Sequence, residues 1–93
     1  MQGWYVYAIG STKRNYIYVG LTGDVGCRVD RHNGGRERTT RAYKPFRLLH
    51  VERFETREEA RKREVCLKSG SGKEFLRELR TRQFDITGTE SSM

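Results

Sequence analysis

Two short stretches near the start of the chain, Trp4-Tyr-Val-Tyr-Ala-Ile9 and Tyr16-Ile-Tyr-Val19, consist of aromatic, β-branched and small apolar residues, and Gly10 to Asn15 between them supplies turn formers. That combination reads as a β-hairpin, which commits the chain to a sheet. With the turn centred on Thr12 and Lys13, Tyr7 lies opposite Tyr18 and Tyr5 is a diagonal neighbour, because side chains alternate with period two. Several phenols then share one face. Trp4 to Ile9 is also the longest apolar run, far short of the ~20 residues a helix needs to cross a bilayer. No basic flank leads into a cleavage site. The expectation is a soluble protein inside the cell, in the cytoplasm or associated with the nucleoid, with no membrane partner.

The rest of the chain reads as alternating helix and strand signals. Asp24 is a good N-cap, and Val25, Arg28, Val29 and His32 follow at spacings that put them on one helical face, before Asn33-Gly34-Gly35 stops the helix. Residues 34–45 form a long basic loop, and Phe46 to Phe54 a third strand. Thr56-Arg-Glu-Glu59 and Ser71-Gly-Lys-Glu74 each fit a capping box, which predicts two closing helices. In the first, Ala60, Glu64 and Leu67 share an inward stripe; in the second, Phe75, Leu79 and either Leu76 or Gln83 make the core-facing edge. The order is β-β-α-β-α-α, an α/β fold with a small three-stranded antiparallel or mixed sheet flanked by helices. With 93 residues there is room for one domain and one modest core, assigned here to residues 1–85, with a polar, disordered tail over 86–93. The two cysteines, Cys27 and Cys66, have no metal-ligand spacing, so neither a disulfide framework nor a structural zinc is expected, and both read as small half-buried residues.

Charge narrows the function. The chain carries 19 Lys and Arg against 12 Asp and Glu, a formal charge of +7. Arginine dominates the cations, which favours planar, bidentate recognition of phosphate. Arg28, Arg31, Arg36, Arg38, Arg41, Lys44 and Arg47 fall in one stretch interrupted only by Asp30 and Glu37. A polyanion surface is implied, nucleic acid first among the candidates; a charged solubilising coat is the plainer alternative. Gly70-Ser-Gly-Lys73 hints at a phosphate loop, but Leu67 stands where such a loop needs glycine and Glu74 where it needs Ser or Thr, so a nucleotide triphosphatase is rejected. Lys73 at a helix start remains a candidate contact for a DNA phosphate.

Three groups of residues could carry chemistry. A carboxylate on an apolar helix stripe is costly to bury without a cation, a hydrogen-bond network or a metal, so Glu64 needs a partner: an arginine, or a metal. A single oxygen ligand suits Mg²⁺, which keeps several waters and takes phosphate oxygens for the rest of its shell. Arg28 and His32 project from one helix edge, where a guanidinium could neutralise a phosphate and an imidazole could hydrogen-bond to it or to a leaving oxygen. Tyr7 and Tyr18 are ordinary sheet aromatics unless nearby positive charge helps a phenol, of pKa about 10, to accept a proton.

Together these residues resemble the GIY-YIG nuclease superfamily, in particular small stand-alone members similar to the N-terminal nuclease domain of the excision-repair protein UvrC. The first family motif falls on Tyr5-Val6-Tyr7 and the second on Tyr18-Val19-Gly20; the helix arginine matches Arg28, the following histidine or tyrosine His32, and the metal-binding glutamate Glu64. Asn33-Gly34-Gly35 and the segment from Thr40-Arg41 to Pro45 are similar to the family too. The resemblance implies a Mg²⁺-dependent DNA endonuclease, with Mn²⁺ as a substitute metal. Tyr7 would be general base or water-positioning group, Tyr18 its support, Arg28 the stabiliser of phosphorane charge, and Glu64 the metal ligand. The basic loop, through Arg36, Arg38, Arg41 and Lys44, would hold the DNA backbone, with Arg31 of the preceding helix and Lys73 as further contacts. A bare catalytic domain of this kind would act on branched or damaged DNA or take its specificity from a partner protein. Tyr5 stands where the family name has Gly, Leu21 where some members have Lys, and no asparagine follows Glu64. The alternatives are a nucleic-acid-binding module of weak or absent activity on the same fold, and, more distantly, an RNA-binding or RNA-cleaving protein.

Overall fold

The computed structural model describes residues 3–92, with side chains as far as Gln83. Strand β1 (Trp4–Ser11) pairs antiparallel with β2 (Ile17–Thr22) on one side and with β3 (Phe46–Phe54) on the other, giving the order β2-β1-β3. Three helices complete the β-β-α-β-α-α order: α1 (Val25–Asn33), α2 (Arg57–Leu67) and α3 (Gly70–Ser92). The sheet is antiparallel throughout, which settles the open choice between antiparallel and mixed. No helix of the described residues is long and apolar enough to cross a membrane.

β1 is apolar at consecutive positions because it is covered on both faces. Val6 and Ala8 point to one side, where they join Val19 and Leu49 of the sheet, Ala60 and Leu67 of α2 and Leu76 of α3. Tyr7 and Ile9 point to the other, into a cluster with Phe46, the α1 residues Val25 and Val29, and Tyr16, Tyr18 and Tyr43. Aliphatic and aromatic residues thus part company across one strand. Leu49 reaches the aliphatic side as the extra residue of a bulge, since β3 shifts register between Ala8 and Ile9.

The hairpin register differs from the sequence expectation by two residues. Tyr7 stands opposite Gly20, and Tyr18 opposite Ile9. The Ser11 hydroxyl moves the turn: it accepts from the backbone N–H of Lys13 (3.1 Å) and Arg14 (2.9 Å), while Ser11 N–H donates to the Tyr16 carbonyl (2.9 Å). Arg80 of α3 fastens the turn by donating to the carbonyls of Ser11 (3.0 Å) and Arg14 (2.9 Å). An even shift preserves the face, so Tyr7 and Tyr18 remain on one side of the sheet.

The Asp24 carboxylate caps α1 by accepting from Cys27 N–H (3.0 Å), and at the other end Gly35, at φ +76, takes the left-handed turn. The capping box of α2 is complete, Thr56 accepting from Glu59 N–H and the Glu59 carboxylate from Thr56 N–H. The second expected box does not form. α3 begins at Gly70, so Ser71 lies inside the helix, and Gly72 packs so tightly on the Cys66 carbonyl and Leu67 backbone that no β-carbon would fit. This close approach, rather than a serine cap, positions the start of α3. Its inward edge is Leu76, with the Gln83 amide donating to the Leu49 carbonyl (3.2 Å); Phe75 is 39% exposed and meets only the edge of His50 in ring contact, which corrects its placement in the core. Cys27 and Cys66 are both exposed, not half-buried. Over the expected tail the backbone continues α3 to Ser92, while the side chains of 86–93 lie outside the described residues.

Candidate functional site

Tyr7 comes from the central strand, and its ring lies directly over Gly20. A β-carbon at position 20 would stand 2.6 Å from the phenol oxygen, so the residue paired with Tyr7 must lack a side chain for the ring to lie flat across β2. The hydroxyl is 2.9 Å from Nε2 of His32, and the opposite ring nitrogen, Nδ1, is 2.8 Å from Oγ1 of Thr40. His32 belongs to the last turn of α1 and is turned inward by the stripe it shares with Val25 and Val29. Its ring packs 4.8 Å from that of Tyr18 and edge-on to Phe46 at 5.9 Å. Tyr7, His32 and Thr40 are all fully or almost fully buried, so they form one sealed line of hydrogen bonds.

The electrostatics of that line are unusual for catalytic groups. Burial pushes the His32 imidazole below its ordinary pKa; Glu37 opposes this, and Arg28 and Arg31 reinforce it. The ring is therefore neutral at pH 7, with one donor and one acceptor nitrogen. If Nδ1–H donates to Thr40, Nε2 accepts from the Tyr7 hydroxyl. Burial also drives the Tyr7 phenol well above its usual range; the Tyr18 phenol adds to the rise, Arg28 opposes it, and the carboxylates of Glu37 and Glu64 add to it further. A free phenolate at Tyr7 is thus excluded near neutral pH.

Arg28 sits half-buried one turn before His32, and its charge reaches both Tyr7 and His32. Glu64 rises from α2, on the aliphatic side of the sheet, yet it too acts on the Tyr7 hydroxyl. It is 8% exposed, with Lys68 Nζ at 3.2 Å and Arg61 Nη1 at 3.7 Å. Arg61 stands on the same helix and Lys68 at its C-cap, and both are largely exposed, so each can swing away without unpacking the core. No cluster of three or more His, Cys, Asp or Glu able to hold a metal occurs among the described residues. Glu64 therefore fits only a metal that takes most of its shell from water and phosphate, as Mg²⁺ does.

The site residues expected from sequence divide into three sets. Tyr7, Tyr18 and His32 touch one another, the two phenol rings 6.2 Å apart. Arg28 and Glu64 act on Tyr7 only through their charge: among the described residues no hydrogen bond or ion pair ties either to the three rings, and Glu64 is paired with Lys68 and Arg61. Among the basic residues, Arg36, Arg38, Arg41 and Lys44 are exposed, but Arg31 is held by Glu37 at 2.9 Å, and that hydrogen bond keeps the Glu37 carboxyl below the usual range. Lys73 is exposed on α3, on the aliphatic side of the sheet, remote in sequence from the loop. Sequence reasoning missed Thr40 as the partner of His32; its one signal was the family-like segment that begins there. It also missed the stack of Tyr16 on Tyr43, with ring centres 4.0 Å apart and planes within 9°.

The model of the GIY-YIG catalytic domain matches residues 3–77. The chain is 32% identical over 83 residues to a UPF0213 protein of Staphylococcus aureus strain Mu3 and equally to one of strain COL, covering 88% of this chain and all of each relative. Among solved structures, the solution NMR structure of UPF0213 protein BH0048 from Bacillus halodurans matches with a TM-score of 0.51 and 33% identity over 94% of each chain.

Proposed function

The chain belongs to the GIY-YIG catalytic-domain family, a nuclease family, and on that premise we propose that it is a metal-dependent endonuclease hydrolysing phosphodiester bonds of DNA. The observation that carries the proposal is the line from the Tyr7 hydroxyl through His32 to Thr40, at 2.9 and 2.8 Å, in the field of Arg28 and Glu64. Tyr7 cannot act as a preformed phenolate. Once substrate binding opens a path for water to its buried hydroxyl, Tyr7 would pass its proton to Nε2 of the neutral His32 while accepting one from the attacking water, so that no bare phenolate forms. The water oxygen then bonds to phosphorus, the bond to the leaving oxygen breaks with its electron pair passing to that oxygen, which takes a proton from bulk water, and the proton from the attacking water rests on the imidazole, steadied by Thr40. Tyr18 is only half-buried and would orient the incoming water. Arg28 would offset the negative charge that grows on the phosphate. Glu64 would hold Mg²⁺, or Mn²⁺ in its place, once Lys68 and Arg61 have swung aside. Such an ion supplies charge neutralisation at the phosphate and leaving oxygen.

A second reading, a nucleic-acid-binding module without activity, draws on the complete burial of Tyr7 and the ion pairs of Glu64. In it the same hydrogen bonds are only structural. The two readings separate in an assay of supercoiled and branched DNA with Mg²⁺, Mn²⁺ or EDTA, comparing wild type with Glu64→Gln and Arg28→Ala. The nuclease requires cutting that needs metal and falls by about a hundredfold or more in each variant. Binding that persists without cutting in every metal selects the module.

A further inference from the structure

Lys68 belongs to two places at once. Its ammonium lies 3.2 Å from the Glu64 carboxylate, and the residue also lines a cavity of about 340 Å³ between the start of β2, the end of α2 and the first turns of α3. A tight corner between the helices shapes that cavity. Gly72 packs on the Cys66 carbonyl and the Leu67 backbone, which leaves Lys68 on one side of the corner and Lys73 and Arg77, four residues apart on one face of α3, on the other. No carboxylate lines the cavity. Neither Lys73 nor Arg77 is ion-paired among the described residues, and Glu74 and Glu78 border Arg77 in a separate depression. Leu67 and Leu76 are 1% exposed, and the Tyr16 ring is stacked on Tyr43 across the sheet, so a base would find neither a ring nor an open apolar floor. What the cavity offers is charge.

Three cations around one cavity, with no carboxylate among them, repel one another until an anion joins them. There is room for a phosphate and some of its water, and the guanidinium fork of Arg77 matches phosphate oxygens. Strand β2 is an edge of the sheet, so a nucleic-acid backbone crossing that edge can meet Arg28 on one side and this cavity on the other. We infer that Lys68, Lys73 and Arg77 hold a backbone phosphate of the nucleic-acid substrate, flanking the one that is cut, and that this phosphate frees Glu64 by drawing Lys68 away from it. The inference rests on the nuclease reading above and goes beyond it, naming a second phosphate site and making the metal carboxylate available when substrate is present. The lysine end of the Lys68–Glu64 pair is 52% exposed, and such pairs hold weakly, so a phosphate shared with Lys73 and Arg77 outcompetes it. Arg61, at 3.7 Å, is the looser partner left behind. The linkage is reciprocal: an ion on Glu64 releases Lys68 and so strengthens the phosphate site.

The test has two arms. In the first, a labelled DNA duplex is titrated by fluorescence anisotropy in EDTA. The double variant Lys73→Ala/Arg77→Ala, both positions exposed, should bind about tenfold more weakly, with its salt slope lower by about 0.9 for one lost phosphate contact. In the second, Mn²⁺ binding is read by electron paramagnetic resonance without nucleic acid, in chloride and in sulfate at equal ionic strength, sulfate standing in for the phosphate. Lys68→Ala should bind Mn²⁺ about fivefold more tightly than wild type in chloride. Sulfate should raise the wild-type affinity toward that of Lys68→Ala and leave the double variant unmoved. Unaltered thermal melting shows that each variant is folded, and Lys68→Gln repeats the loss of charge with a longer side chain. Wild-type duplex affinity and salt slope in the double variant overturn the backbone-phosphate site, and a sulfate effect that persists beside that result marks a site for free anions only. Equal Mn²⁺ affinity in Lys68→Ala and wild type overturns the release of Glu64. Either result leaves the nuclease reading standing. Mn²⁺ binding unchanged in Glu64→Gln would instead strike the metal role in the proposed function, and the release of Glu64 with it.

Discussion

At Gly20 one methyl group decides whether the candidate site can assemble. The phenol oxygen, Cζ and Cε1 of Tyr7 all lie within 2.8 Å of where a β-carbon would stand, and the ring is fully buried, so it has little room to retreat. Gly20→Ala should lower stability by about 1–3 kcal/mol through overpacking and lift the hydroxyl off His32. Urea melts would read the first effect and DNA cutting the second. Tyr7→Phe isolates the hydroxyl alone. It leaves a buried nitrogen of His32 without a partner, so a loss of about 1–3 kcal/mol is expected, together with a fall in cutting of about a hundredfold or more. A phenylalanine variant that cuts at the wild-type rate would remove Tyr7 from the mechanism.

Elements are closed by different devices, and the helix starts show it. α2 begins with a complete capping box, so Thr56→Ala should destabilise by about 1 kcal/mol. Ser71 carries the same local pattern but lies inside α3, where it caps nothing. Ser71→Ala should stay within about 0.5 kcal/mol of wild type. Paired thermal melts of the two variants compare the rule with its exception in one protein. Equal losses would mean that α3 starts where its sequence signature places it. The exception arises because Gly72 sits on the carbonyl end of α2, a contact between helices that outweighs the local cap.

For the whole molecule, pH links the buried line to stability. The folded pKa of His32 is depressed, so between the unfolded value near 6.5 and that lower value the unfolded chain holds the extra proton. Stability should therefore be level above about pH 7 and fall as acid is added through about pH 6. A second decline belongs below about pH 4.5, where Glu37 and Glu52 have depressed pKa values. For Glu52 burial works against ionisation, but hydrogen bonds from Arg63 and His50 outweigh it. His32→Gln should flatten the first decline and keep the second, read by urea denaturation over a pH series. Parallel curves for variant and wild type would show that His32 is not the acid-sensitive group.

Much was legible along the chain itself. The hairpin, the Phe46–Phe54 strand, α1 between Asp24 and Gly34, and the stripe of Ala60, Glu64 and Leu67 follow from periodicity and caps, which act within a few residues and so are written in neighbouring positions. Four features were decided only in three dimensions: the two-residue register shift made by the Ser11 hydroxyl, the choice of Leu76 over Phe75 for the core, the start of α3, and the capture of His32 by Thr40. Each depends on which surfaces meet once the chain has closed on itself. Alternation and helical pitch say which side a residue faces; only packing says what stands there to receive it.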